Sequence, residues 1–390
     1  MELRLRLSKS IIAALLLGGC SEQAEVSSQG DAFPDRRTSF ENEGRLLGYV
    51  SNRLSDSVSV LDLDGMTELG RVPIGRSPVE VDGPTHLVVD RERALVYVAL
   101  SHPAPAVQGP HATHVAPSLP GYVEVLSLSD LRHLGEIEVP PSPSDLALSA
   151  DGERLVVSHY DLARAAQPNT EIELRRATLS LIASPYDIVT GSATVESATT
   201  CVAPYAVALG NEDTRAYVAC TGEESVAVVD LGSLGVERVS VGLEEYIEKP
   251  FTLSVDPTGT SLLVSSQVAR SVELFDLDDG IEPGQSVVLR GVPYYGAWFS
   301  KDRILVPTQG PSGASLLDVE SLSILSEVTY SVEDCYNPHE ARVAGDRVFL
   351  VCQGDDFAPG AVVEIDPESL EILNRVEVGL SPDRLLVLPP

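Results

Sequence analysis

A proline just ahead of a short apolar run recurs at Pro84, Pro143, Pro204, Pro250, Pro293, Pro338 and Pro382. The intervals are 59, 61, 46, 43, 45 and 44 residues, a basal period of about 45. That is the length of a four-stranded propeller blade. No helical periodicity competes with it.

Each period carries the same runs. After the proline comes a β-rich segment such as His86–Asp90 or Asp145–Ser149. A polar turn follows, then a second run, as in Val96-Tyr97-Val98 and Ala216-Tyr217-Val218. A third run often ends in an apolar residue and Asp, and a fourth alternates, as in Ile372–Val378. Four short β-branched strands with turn punctuation make one blade. The domain opens at Leu46 with a second-type run and ends at Arg384–Leu388 with a first-type run. The last strand is therefore expected to complete the first blade. The sequence predicts an all-β, seven-bladed propeller over residues 45–390, closed by its terminal strand so that no free edge remains between the ends.

The motifs Tyr49-Val50-Ser51-Asn52, Ser57–Asp62 and Val72-Pro73-Ile74-Gly75, echoed by Tyr97-Val98-Ala99 and Tyr217-Val218-Ala219, resemble the repeat of the YVTN family of seven-bladed propellers. The resemblance covers about residues 45–390. It implies the fold, and a family that includes lactonase-like proteins, envelope binding proteins and domains attached to cytochromes.

Residues 1–19 read as a lipoprotein signal peptide. Arg4, Arg6 and Lys9 precede a short apolar stretch, Ile11–Leu17. Leu17-Gly18-Gly19-Cys20 resembles a bacterial lipobox, whose cysteine takes the lipid, palmitate included. Residues 20–44 read as a flexible tether. Ser21 after the cysteine implies, by resemblance to lipoproteins, the outer membrane, with a periplasmic or surface-facing domain. The membrane is thus a partner through the lipid anchor.

Four cysteines remain. Cys201 and Cys335 each lie just before a first strand, and Cys220 and Cys352 each end the next strand. A hairpin brings each pair together, so disulfides Cys201–Cys220 and Cys335–Cys352 are predicted, as an exported chain allows. The competing reading is a thiolate metal site, without CxxC spacing to favour it.

Lys+Arg is 27 against Asp+Glu 58, a net charge of −31 with only three lysines. That excludes a basic stripe for nucleic acid. A monomer is expected.

The loops entering first strands share one face with those joining second to third strands. Candidate ligand-binding residues just past the prolines are His86, Asp145, Tyr205, Tyr295, His339, Glu340 and Arg384. Of these, Asp145, His339 and Glu340 are the catalytic candidates. The alternative is that these groups only satisfy the backbone and one another. The extra length falls in two insertions on that face, Ser101–Gly121 and His159–Ala177. Long loops on a rigid scaffold carry function. They hold His102, His111, His114 and His159, which with Asp161 could bind a divalent metal such as Zn²⁺, Cu²⁺ or Fe. Solvated loop histidines are the other reading. Asp62–Gly65 and Asp276–Gly280 fit turn chemistry better than Ca²⁺ loops. No GxSxG, Walker, HExxH or CxxCH motif is present.

The expected function is a lipid-anchored envelope propeller that binds a protein, glycan or small molecule through its loop face. A lactonase-like or metal-dependent hydrolase at the channel mouth is the alternative.

Overall fold

The second strand of each blade is apolar almost throughout because neighbouring blades bury both of its faces. Successive side chains on a strand point to opposite faces. Tyr49 enters the core shared with the blade that follows, and Val50 enters the core shared with the blade that precedes. Tyr97 and Val98 divide the same way, as do Leu305 and Val306. Among the described residues, an apolar cluster fills every one of the seven blade boundaries.

The computed structural model describes residues 40, 44–76, 81–101, 120–168, 171–188, 193–242, 248–277 and 281–390. It is a ring of seven antiparallel sheets. Blade 1 joins the two ends of the domain, in the order Pro382–Leu388, Leu47–Asn52, Ser57–Asp62, Thr67–Pro73. Leu47 pairs with Leu388, Tyr49 with Leu386 and Val50 with Leu385. The expected closure is therefore present. The first strands of blades 2 to 5 are Pro84–Asp90, Pro143–Leu148, Pro204–Leu209 and Pro250–Val255, and that of blade 7 is Pro338–Ala344. Blade 6 departs from the pattern. Its first strand is split into Val292–Pro293 and Ala297–Ser300, and Tyr295 between them bridges in parallel to Glu340 of blade 7.

The proline repeat has a geometric cause. The residue before it is left-handed in six blades: Gly83, Ser142, Ala203, Lys249, Asn337 and Ser381, with φ between 49° and 60°. Its carbonyl accepts the amide just after the second strand, at 2.8 to 3.2 Å, as in Tyr160 to Ser142 and Gln353 to Asn337. Proline then fixes φ for the strand that turns into the ring axis. A Cβ on Gly121 would overlap the Pro143 ring of the next blade, and one on Gly360 would overlap Pro382. Glycine lets the blades close there.

Both disulfides form as predicted. Cys201–Cys220 has a Cα separation of 5.7 Å and Cys335–Cys352 one of 5.2 Å. Among the described residues, no helix is long and apolar enough to cross a membrane. Cys20 lies outside the described residues. Phe40, inside the expected tether, is buried in the core between blades 1 and 2, and its amide donates to Ser129 O at 3.2 Å. Ser129 sits in a turn on the face opposite the loop face.

Candidate functional site

The alternation of the first strands sorts the residues after each proline into two tiers around the axis. The upper tier, one residue past each proline, is Thr85, Ser144, Tyr205, Phe251, Tyr294, His339 and Asp383. Four consecutive blades make it aromatic on one side. Tyr205 stacks on Phe251 at 3.7 Å, Phe251 meets Tyr294 edge-on at 5.8 Å, and Tyr294 lies 4.9 Å from His339. Tyr160, the second residue of the second insertion, packs edge-on against Tyr205 at 5.0 Å. That places this insertion on the loop face, above the axis. His339 Nδ1 is 3.1 Å from Asp383 O and 3.3 Å from its carboxylate.

The lower tier, two residues past each proline, is His86, Asp145, Ala206, Thr252, Tyr295, Glu340 and Arg384. It carries the charge. Arg384 is 8% exposed, and its guanidinium lies 3.5 Å from the centre of the Tyr295 ring. Its Nε is 3.1 Å from Glu340 Oε1 and its Nη1 is 4.0 Å from Asp145 Oδ1. Neither nitrogen has hydrogen-bond geometry to any partner, and Thr252 Oγ1 is likewise buried without one. Glu340 also takes Arg342 Nη2 at 2.6 Å. Asp145 Oδ1 lies against His86 Nδ1.

Each carboxylate also holds the backbone. Asp145 Oδ2 accepts the Val207 amide of blade 4 at 3.0 Å, and Glu340 Oε2 accepts the Leu385 amide of blade 1 at 2.5 Å. Burial opposes the charge on Asp145. The facing His86, Arg384 and the Val207 amide overcome that and hold its pKa to about 2. Burial and the nearby Arg384 charge push His86 down, toward the neutral ring.

Two cavities open below this tier, toward the face of the first-to-second-strand hairpins. One, of about 460 Å³, runs from His86 and Arg384 along Val88 and Leu386 to Asp90 and Asp151. The other, of about 220 Å³, is lined by Tyr295, Trp298, Glu340 and Arg342. Arg342 and Arg384 line both. No upper-tier residue lines either.

The sequence-predicted residues thus separate. His86, Asp145, Tyr295, Glu340 and Arg384 converge on the axis. Tyr205 and His339 belong to the aromatic tier above. His159 is buried on its own strand, with Nε2 2.9 Å from Ser180 Oγ and Nδ1 3.3 Å from Pro141 O. Asp161 caps the short helix Leu162–Ala165 by accepting the Arg164 amide at 2.9 Å. His102, His111 and His114 lie outside the described residues. Among the described residues, no group of three His, Cys, Asp or Glu side chains could hold a metal ion. Asp62 Oδ1 accepts the amides of Asp64 and Gly65 at 2.9 and 3.0 Å, which is turn chemistry. Sequence reasoning missed Arg342. Four past its proline, it points the same way as Glu340, and that spacing could have found it.

No protein-family model and no curated protein matches the chain. Solved structures do. The chain is similar to the periplasmic gluconolactonase PpgL of Pseudomonas aeruginosa, at 17% identity and a TM-score of 0.64, covering 88% of this chain and 99% of that one. It is similar to a candidate 6-phosphogluconolactonase of Bacteroides uniformis, at 12% and 0.64, covering 89% and 100%. It is also similar to the dihydro-heme d1 dehydrogenase NirN, solved in complex with DHE, at 19% and 0.57, covering 90% and 77%. At these identities the likeness is one of fold, and the chain is a seven-bladed propeller structurally similar to lactonase-like proteins.

Proposed function

We propose that this protein is a lipid-anchored binding propeller of the bacterial cell envelope, with its small-molecule site in the central channel. The supporting observation is Arg384, buried on the axis and shared by two cavities with its Nε and Nη1 lacking hydrogen-bond partners. A buried polar group without a partner is costly, and a ligand that supplies one stabilises the site. This moves the ligand from the loop face to the lower end of the channel. The lone tryptophan, Trp298, lines one cavity and serves as a reporter. Titration with small metabolites, read by Trp298 fluorescence in the wild type and in Arg384→Met, tests the reading. A ligand that perturbs Trp298 in both proteins alike would count against it.

The loop face keeps a role in contacting proteins. Large apolar residues exposed outside strands, such as Leu162, Leu174, Val268, Val332 and Phe357, all fall in its connections among the described residues. That distribution supports the loop face as the side that meets other proteins. Anchoring rests on Cys20. Cys20→Ser is expected to abolish palmitate labelling and release the protein from the membrane fraction.

The second reading is a lactonase-like hydrolase. It is favoured by an ionised Asp145 beside a neutral His86 on the same tier, a base that could activate water, with Glu340 and Arg384 opposite. Release of acid from gluconolactone, abolished by Asp145→Asn, would decide for it.

A further inference from the structure

We infer that the channel ligand is a carboxylate, gripped by Arg384 and Arg342. This rests on the channel reading above and names the chemical class it takes. Arginine has five N–H donors and no acceptor, so only acceptor atoms can complete it. The protein's own acceptors on this tier lie close but do not complete it with hydrogen-bond geometry. Glu340 spends one oxygen on the Leu385 amide and the other on Arg342, whose Nε in turn donates to Leu385 O at 2.9 Å. Asp145 spends Oδ2 on the Val207 amide, and its Oδ1, 4.0 Å from Arg384 Nη1, is itself buried without a hydrogen-bond partner. Tyr295 offers Arg384 only a ring face. The guanidinium therefore sits beside its counter-charges while its Nε and Nη1 lack acceptors.

A neutral hydroxyl could fill one such donor. A carboxylate brings two coplanar acceptors together with the opposing charge, and can pair with Nη1 and Nη2 along one edge of the guanidinium. Arg342, on the same wall of both cavities, offers the second cation from the adjacent blade. The cavity volumes, about 220 and 460 Å³, suit a small organic acid.

The test is direct binding to the full chain. Gluconate, malonate and inorganic phosphate are titrated by calorimetry and by Trp298 fluorescence, against gluconamide as the uncharged counterpart. We expect a carboxylate to bind at least tenfold more tightly than gluconamide. Arg384→Met is expected to weaken it about 100-fold and Arg342→Gln about fivefold. Arg384 is buried against Glu340, so Arg384→Lys is the fallback if the Met variant does not fold. Lysine keeps the charge and loses the fork, and a loss of about tenfold is expected. Gluconamide binding as well as gluconate, with Trp298 perturbed, would overturn the carboxylate and leave the channel reading intact. Binding of phosphate without either organic acid would overturn it too. Carboxylate binding unchanged in Arg384→Lys and Arg342→Gln would overturn the site itself.

Discussion

The Asp145 carboxylate of blade 3 accepts the Val207 amide of blade 4 at 3.0 Å. The same link recurs at equivalent positions. His86 Nδ1 accepts the Leu146 amide at 3.0 Å and Glu340 accepts the Leu385 amide at 2.5 Å. In each case the side chain two past a proline holds the amide three past the next. Ala206 and Thr252 occupy that position in blades 4 and 5 without forming it. Three polar members of the channel tier therefore staple adjacent blades while lining the axis.

This dual role separates two substitutions of Asp145. Asn keeps an oxygen for the Val207 amide, and Ala leaves that buried donor empty. Asp145→Ala is expected to cost about 2 kcal/mol more than Asp145→Asn in urea unfolding at pH 7. The acid limb supplies a sign. A carboxylate whose folded pKa, about 2, lies below the ordinary aspartate value of 3.8 stabilises the fold above pH 3.8 and loses that contribution as pH falls toward 2. Asp145→Asn should flatten stability in that window. An unchanged acid limb would show the carboxylate is not held ionised.

The ring was legible because its cause is local. A left-handed residue, a proline and a β-branched run recur at a blade's length, and each term has one structural meaning. The disulfides were legible for the same reason, since each pair spans one hairpin. The site was legible by tier and missed by direction. Counting residues past a proline located Arg384 and Glu340, but it could not show that the aromatic tier packs above them while the cavities open below. Nor could it show that His159, the first residue of the second insertion, turns inward to Ser180. Those outcomes depend on side-chain packing between blades, which no spacing encodes. Arg342 escaped because the count stopped at two residues instead of following the alternation to four.

His159 gives a second pH prediction. Burial lowers its pKa from 6.5 to about 4. The unfolded chain binds a proton below pH 6.5 that the folded one refuses until about pH 4, so stability is full above 6.5 and falls through that interval. The loss amounts to about 3 kcal/mol. His159→Gln is expected to be less stable at pH 7.5 and to show a shallower decline to pH 4.5. Parallel pH profiles for the two proteins would refute the assignment.

The disulfides close loops of 19 and 17 residues and are buried. Chain entropy gives each about 3 kcal/mol. Cys201→Ala/Cys220→Ala and Cys335→Ala/Cys352→Ala should each lose about that much in denaturant unfolding. Neither native bond should yield to dithiothreitol until denaturant opens the blade. Intact-protein mass after alkylation under native and denaturing conditions reads this directly.

The closing strand is the place to test the ring as a whole. Leu385 is fully buried between Val50, Leu61 and Phe349, in the core joining blade 7 to blade 1. Its amide is also the one Glu340 holds. Leu385→Ala is expected to cost about 3 kcal/mol through the cavity it leaves. Removing residues 382–390 does more. It strips Leu47–Asn52 of its inner partner and opens two blade boundaries. It also deletes Arg384 from the channel and exposes a strand edge that promotes aggregation. The truncated chain should fail to give a cooperative transition. Adding back a synthetic peptide of residues 381–390 should restore part of it, because the edge it pairs with is already templated by Ser57–Asp62. A truncated chain that unfolds cooperatively at the wild-type midpoint would show that the ring does not need its terminal strand.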